Sequence, residues 1–507
     1  MHHIIKCSHF AALFVGIFIA VNSQAQTILS GNISGTWTPS GNPYIISANA
    51  TNPVGQTLTI QPGVIVWIGQ GISLTVNGAI SAVGTSPSHI TFQAPINSQY
   101  WNTISVNNSF TNLFNYCDFA NATNALAFVG TGTSNQVNYC TFTNVMGTAL
   151  AFNNQNTSGN QVLFSSFQNV SNGIVTSAMG NNWTNTTFIG NCSFSNCWGQ
   201  ALTGAGQGSY NGGYYSGNGY SGTIISTVQN CSFLSVGNGC SFSIIAVCGT
   251  YACGNGIGNV QLMDNIFNNV TNTAISLTTQ NGDSSSSSAT LINNIFLNAS
   301  NGIISQDPWD ATVMDGIFMG CTNAVTDIGA LSRDIEFNDF YENATTFTGY
   351  TSDYGNVIIA NRNGTPCDLL FNIYQNPLFV SSNSFALPTN SPCIDAGTPN
   401  VAYEDTSFPP SQGTGFPDLG IYGGPLAMNW LPVIPAPPAP IILIASEALK
   451  LTCTNVVTAG TYQLQTSTNL TSWANYGSQF YMTATSNLFQ YVDATNNAGF
   501  FRLQSLQ

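Results

Sequence analysis

The chain has 507 residues, 43% of them hydrophobic and 5% charged, with a formal net charge of -14. Five basic residues against nineteen acids argue against nucleic acid or an acidic polymer as a charge-driven partner. The length suffices for a large folded body and a second domain, and solubility must rest on Asn, Ser, Thr, Gln and Gly.

Residues 1–25 read as an export signal. His2, His3 and Lys6 make a basic start, Ala11 to Ala20 an apolar segment, and Ser23-Gln24-Ala25 a small-residue cleavage site before Gln26. No later stretch is long and apolar enough to cross a bilayer as a helix. A secreted, extracellular or outer-surface location follows as the expectation, with no transmembrane segment in the mature chain.

Residues 26–96 are expected to hold the N-terminal cap, Thr36 to Ile46, and the first coils of a solenoid. Leu58-Thr59-Ile60, Val64 to Ile68, Ile72 to Val76 and Ile90 to Phe92 are short apolar runs separated by Pro-Gly and Asn-Gly turns, the pattern of short strands.

Residues 97–390 carry the main signal. A phrase recurs nine times on Phe119, Phe142, Phe167, Phe194, Phe233, Phe267, Phe296, Phe318 and Phe340. Five residues before each phenylalanine stands an apolar residue, from Phe114 and Val137 to Val313 and Ile335. Two residues before it stands a small or compact one, from Cys117 and Cys140 to Gly316 and Asn338. A core column that keeps its phase across spacings of 22 to 39 residues belongs to a solenoid with insertions in its loops. The apolar positions lie two apart, as in a strand. Coils of 22 residues are too short for two helices and fit three strands joined by turns. Two residues after the phenylalanine stand Asn121, Asn144, Asn169, Asn196, Asn269 and Asn298. Asn tolerates left-handed geometry, so this file reads as a structural turn whose stacked amides could bond to one another, with a ligand-binding row as the alternative.

The longest spacing, between Phe194 and Phe233, holds a glycine-tyrosine insertion with Tyr210, Tyr214, Tyr215 and Tyr220. Tyrosine rings stack on apolar faces while their hydroxyls stay wet, which makes these four the candidate ligand-binding residues; packing in a solvent-covered loop explains them equally well. Ser241 to Gly258 forms a second insertion on the same flank. Thirteen cysteines, one of them Cys7 in the leader, leave two readings for the stacked pairs Cys117/Cys140 and Cys192/Cys231: a bridge or buried free thiols. Cys240, Cys248 and Cys253, and likewise Cys367 with Cys393, are the better disulfide candidates. No spacing resembles a zinc site, and His89 is the one histidine beyond the leader, so no His/Cys metal centre is expected.

Residues 391–431, with Ser391-Pro392-Cys393-Ile394-Asp395-Ala396-Gly397 and Pro417 to Gly424, should close the ribbon. Their acids leave calcium open as a cofactor, and a turn-held cap explains them without one. Residues 432–440 are a stiff proline-rich linker. Residues 441–507 alternate as short strands and read as a small β-sandwich module.

Two segments have familiar shapes. Leu58 to Val64 with Leu74 to Thr85, and Ser391 to Gly397 with Asp418-Leu419-Gly420-Ile421-Tyr422-Gly423-Gly424, resemble the secreted right-handed parallel β-helix proteins of environmental bacteria. Tyr462 to Leu470 with Trp473 and Phe500-Phe501-Arg502-Leu503 is similar to a C-terminal β-module of large exported proteins of Verrucomicrobia-like bacteria. The resemblance implies an all-β chain, a right-handed parallel β-helix followed by a small β-sandwich. Its wider superfamily includes polysaccharide lyases, glycosidases, adhesins and tailspikes.

Lyase chemistry is poorly supported, because the coils contain only Arg333 and Arg362 as cations. Hydrolysis needs two carboxyl groups at a suitable separation. If Ile335 and Phe337 face inward, Asp334 and Glu336 face outward about 7 Å apart, with Asp315 in the adjacent coil and Asp339 nearby; these four are the candidate catalytic residues. The reading that covers most of the chain is non-catalytic: a secreted or surface protein that binds an extracellular polysaccharide or cell-envelope glycan, or serves a structural or adhesive role. A glycoside hydrolase acting on a neutral polysaccharide is the alternative.

Overall fold

Alternation of apolar and polar residues becomes parallel strand in the computed structural model. It describes residues 26–427 except 96–98, 108–109, 130–133, 154–155, 181, 214–215, 249–252, 281–286, 307–308, 329–333, 351–352 and 382–383, and beyond 427 the segments 442–444, 450–453, 461–467, 471–476, 479–481, 488–491 and 500–506. The export signal and proline-rich linker lie outside these residues. The chain divides into two compact units, Met1–Ala427 and Met428–Gln507.

The first unit is a parallel β-helix with three strands per coil, as Leu113–Asn115, Cys117–Ala122 and Leu126–Phe128 show for one coil. First strands stack in a twelve-stranded sheet; second and third strands stack in a 22-stranded one, where Thr141–Phe152 and Ser166–Met179 run through both. Pairing is in register, so Phe119 lies against Phe142 and Phe142 against Phe167. The phenylalanine rings therefore form one continuous buried stack from Phe92 to Phe340, with centroids 4.3 to 5.1 Å apart. That interval follows the strand spacing of about 4.8 Å, and stacking adds to the burial of each ring.

From Tyr116 to Glu342 each coil turns twice on a single left-handed residue. The asparagine file makes the corner between second and third strands, with φ of 51° to 58° from Asn121 to Asn298. Its amides do bond across coils: Asn144 donates to Asn121 (3.4 Å) and Asn196 to Asn169 (3.2 Å). The other corner, between first and second strands, is one residue of mixed chemistry: Tyr116, Tyr139, Phe164, Asn191, Asn230, then Asp264, Asn293, Asp315 and Phe337, with φ between 49° and 56°. Phe337 therefore does not point into the core as expected; it is half-buried on this corner and stacks on Phe371 at 5.0 Å.

Beyond Phe340, Phe347 and Tyr374 pack against the last ring of the stack, and Tyr350 and Tyr354 against Phe347. Residues 391–427 meet the last repeat where the Cys393 thiol donates to Asp339 (3.3 Å). They run back along the outside of the solenoid, where Asn293 donates to the carbonyls of Asp418 (3.1 Å) and Gly420 (3.0 Å) and the Thr398 amide donates to Asp315 (2.7 Å). This strap covers Ile295 and Ile317, both fully buried although they sit on the outward side of their strands.

The glycine-tyrosine insertion is an antiparallel hairpin, Ser209–Gly213 with Ser216–Tyr220, and the next coil carries its own, Val247–Cys248 with Cys253–Gly254. The two hairpins pack on each other. A Cβ on Gly208 would strike the Gly254 carbonyl and one on Gly219 the Cys253 carbonyl, so these glycines serve close approach of two backbones rather than looseness. Cys248 and Cys253 form a disulfide. Cys367 and Cys393 do not: both are buried free thiols, and Cys393 donates to Asp339 (3.3 Å). Cys117, Cys140, Cys192, Cys231 and Cys240 are buried free thiols as well.

The second unit has two antiparallel sheets, one of Ile442–Ile444, Lys450–Cys453 and Leu488–Tyr491, the other built on Thr461–Ser467 paired with Phe500–Leu506. Tyr462, Leu464 and Leu503 are buried in it, and the Arg502 guanidinium lies 4.4 Å from the centre of the Trp473 ring.

Candidate functional site

The outward face of the second strands is where the fold opens to solvent beside a wall. After Pro377 the chain folds back on itself, the Val380 amide donating to the Ala386 carbonyl (2.8 Å), and Ser391 ties it down by donating to the Pro377 carbonyl (2.7 Å). Phe379 and Phe385 then meet edge to face, centroids 5.6 Å apart. Between them and the solenoid lies a cleft of about 340 Å³ lined by Asn268, Asn269, Leu297, Asn298 and Met319. Leu297 and Met319 sit one residue after the core phenylalanines, and Asn269 and Asn298 belong to the asparagine corner, where Asn298 donates to Asn269 (3.4 Å). The lining is apolar walls plus amides, without a charged side chain. Such a cleft suits a neutral ligand with an apolar face and hydrogen-bonding groups around it. From the sequence only Asn269 and Asn298 stand out here, through the alternative reading of the asparagine file as a ligand row; Asn268, Leu297, Met319, Phe379 and Phe385 do not. The available signal was the broken alternation of Ile295-Phe296-Leu297 and Ile317-Phe318-Met319, three apolar residues in a row where earlier coils have Thr141-Phe142-Thr143.

The four acids do not line this cleft. Asp334 is exposed and Glu336 half-buried on the last first-strand, on either side of inward Ile335. Burial and the neighbouring Asp334 push the Glu336 carboxyl above its usual range. Asp315 occupies the corner position below Phe337, as its amide bond to the Phe337 carbonyl (3.0 Å) shows, and it is fully buried beneath the strap. Asp339 is fully buried too, accepting from the Gln375 amide (3.1 Å) and the Cys393 thiol. Burial pushes each of these two carboxyls up to about 8.

Within the strap, Asp418 accepts from the amides of Asp395 (3.0 Å) and Gln412 (2.7 Å), and Asp405 from those of Asp418 (3.2 Å) and Gly424. These acids hold turns together. Among the described residues, no three His, Cys, Asp or Glu side chains converge as a metal site.

Of the tyrosines, Tyr214 and Tyr215 lie outside the described residues. Tyr210 and Tyr220 stand on the paired strands of the hairpin, one position out of register, since Tyr210 pairs with Gly219 and Ser209 with Tyr220. Tyr220 is half-buried.

No helix among the described residues is long and apolar enough to cross a membrane. No protein-family model and no curated protein sequence matches this chain. Among solved structures, it is similar to the crystal structure of pectate lyase Pel9A, with 14% identity, a TM-score of 0.36 and coverage of 79% of this chain and 98% of that one.

Proposed function

We propose that this chain is an exported β-helix protein that binds a neutral carbohydrate outside the cell or at its surface. The observation that carries the reading is the uncharged cleft, with Phe379, Phe385, Leu297 and Met319 as walls and Asn268, Asn269 and Asn298 as hydrogen-bonding groups. A sugar ring has the matching chemistry, an apolar face ringed by hydroxyls. The tyrosines Tyr210, Tyr214, Tyr215 and Tyr220 are a second proposed contact for the same class of ligand.

Affinity electrophoresis of the mature protein through neutral polysaccharides tests this. The expected result is retardation that changes little between low and high salt, since no phosphate-type charge contacts are involved. Phe379→Ala should weaken it about tenfold, or about 1.4 kcal/mol, and Tyr214→Ala with Tyr215→Ala should report on the hairpin. Absence of retardation by every neutral polymer, or retardation lost on modest addition of salt, would overturn the reading.

A hydrolytic activity would draw on Asp334 and Glu336, because a carboxyl raised by burial beside an exposed one is the pairing that acid and base roles need. New reducing ends, lost in Glu336→Gln, would establish it.

A further inference from the structure

The row that follows each core phenylalanine and the asparagine file, which form the floor of the cleft, continue along the solenoid toward its N-terminal coils, where Thr143, Asn144, Gln168, Asn169, Ser195 and Asn196 are half-buried or exposed. Outward residues of successive second strands make a lane two side chains wide: Asp118, Thr141, Ser166 and Ser193 in one row, with Thr143, Gln168 and Ser195 in the other. One edge of the lane is the corner file Tyr116, Tyr139 and Phe164, whose rings lie parallel with centroids 4.7 and 4.9 Å apart. Tyr139 and Phe164 are 40% and 46% exposed. The opposite edge is the amide file from Asn121 to Asn196, and just beyond it Trp198 stands 59% exposed.

Bulky aromatic residues at left-handed φ are costly, on the order of 1–3 kcal/mol each. Three in successive coils, on a corner that Asn and Asp fill from Asn191 to Asp315 before Phe337 takes it again, hold a wall of ring edges against one side of the lane. The only acidic or basic side chain in these rows is Asp118, which lies 3.1 Å from the His89 ring nitrogen and accepts from the Thr141 hydroxyl (2.6 Å).

We infer that the lane binds an extended, linear, neutral polysaccharide whose chain runs along the solenoid axis, crossing coils rather than following a strand. The coils of Phe142 and Phe167 each offer one hydroxyl or amide per row and one ring edge, at an interval of about 4.8 Å, comparable with the rise of an extended pyranose chain. The open indole of Trp198 gives a face for stacking, and an acidic chain of this composition disfavours polyanions. The inference rests on the carbohydrate reading of the cleft and extends it: the cleft holds one end of a ligand that the lane holds along its length.

The test is calorimetric titration with cello-, manno- and xylo-oligosaccharides from disaccharide to octasaccharide. Affinity should rise with length for one of these series. Tyr139→Ala with Phe164→Ala and Trp198→Ala should cut octasaccharide affinity at least tenfold while leaving disaccharide binding unchanged, and Phe379→Ala should weaken both. Where the triple variant loses its melting transition, Trp198→Ala alone gives the same comparison from an open corner. Equal affinity for short and long chains, with the lane variants binding like the parent, overturns the lane and leaves the cleft reading standing. Failure of every length to bind removes both. Sedimentation that shows a dimer broken by Trp198→Ala would make the lane a self-association face instead.

Discussion

The coils before Phe233 and those after it are built on the same frame and differ at two positions, one inside and one out. Inside, two residues before the phenylalanine, the early coils carry Cys117, Cys140, Ser165, Cys192 and Cys231, and the later ones Asn265, Asn294 and Asn338, with Gly316 the exception. Outside, one residue before it, Asp118, Thr141, Ser166, Ser193 and Ser232 give way to Ile266, Ile295 and Ile317, before Asp339 in the last repeat. The inner exchange works because the amide is fully engaged. Asn294 donates to the carbonyls of Leu262 (2.8 Å) and Ile292 (3.1 Å) and accepts from the backbone and side-chain amides of Asn265 (3.1 and 3.0 Å). The Cys192 thiol makes only weak contacts with Gly190 and Val162 carbonyls (3.3 and 3.6 Å). The outer exchange marks where the strap lies. A β-helix face can thus be left wet or covered without changing the coil, and here the wet half carries the proposed lane.

The strongest test of this contrast is on the outer face. Ile295→Ala should cost about 2–4 kcal/mol, since the buried side chain leaves a cavity under the strap. Ser193→Ala, at the same position in an early coil, should stay within about 0.5 kcal/mol. Urea denaturation midpoints measure both, and equal shifts would mean that the strap contributes nothing. On the inner face, Asn294→Ala should cost about 1–3 kcal/mol by orphaning buried partners, with Cys192→Ala closer to 1 kcal/mol or below. A reversed order would remove the amide's claimed role.

A test that bears on both ends of the strap is pH. Burial pushes Asp315, Asp339 and Asp405 up to about 8 and Asp418 up to about 7. Their folded values lie above the unfolded one, so the folded chain holds protons that the unfolded chain has released. Stability from these groups is complete below about pH 4 and is lost as pH rises through about 8. Melting temperature should therefore fall between about pH 5 and pH 9, less steeply in Asp315→Asn, whose side chain still accepts from the Thr398 amide. A melting temperature that rises over that range would show that the amide bonds to these carboxylates outweigh their burial.

The sequence by itself determined the coil: the phenylalanine stack, the inward apolar columns, the asparagine corner and its amide bonds all follow from phase-locked local periods. The broken alternation in Ile295-Phe296-Leu297 even carried a hint that both faces are covered, because strands buried on both sides read as continuous apolar runs. What covers that face could not be read locally. Asp315 meets Thr398 across 83 residues and Asn293 meets Asp418 across 125, and no periodicity spans such distances. The same holds for the hairpin pair, whose glycines answer to each other's backbones. Among the cysteines, Cys248 and Cys253, five residues apart, were legible as a bridge, whereas only three-dimensional packing keeps Cys367 from Cys393 and leaves Cys393 beside Asp339. The tyrosine and phenylalanine corner hid for a different reason: its positive φ is shared with asparagine and aspartate in other coils, so residue type alone did not mark it, and only the stacked backbone of the assembled solenoid decided that those rings stand outside, parallel, along a lane.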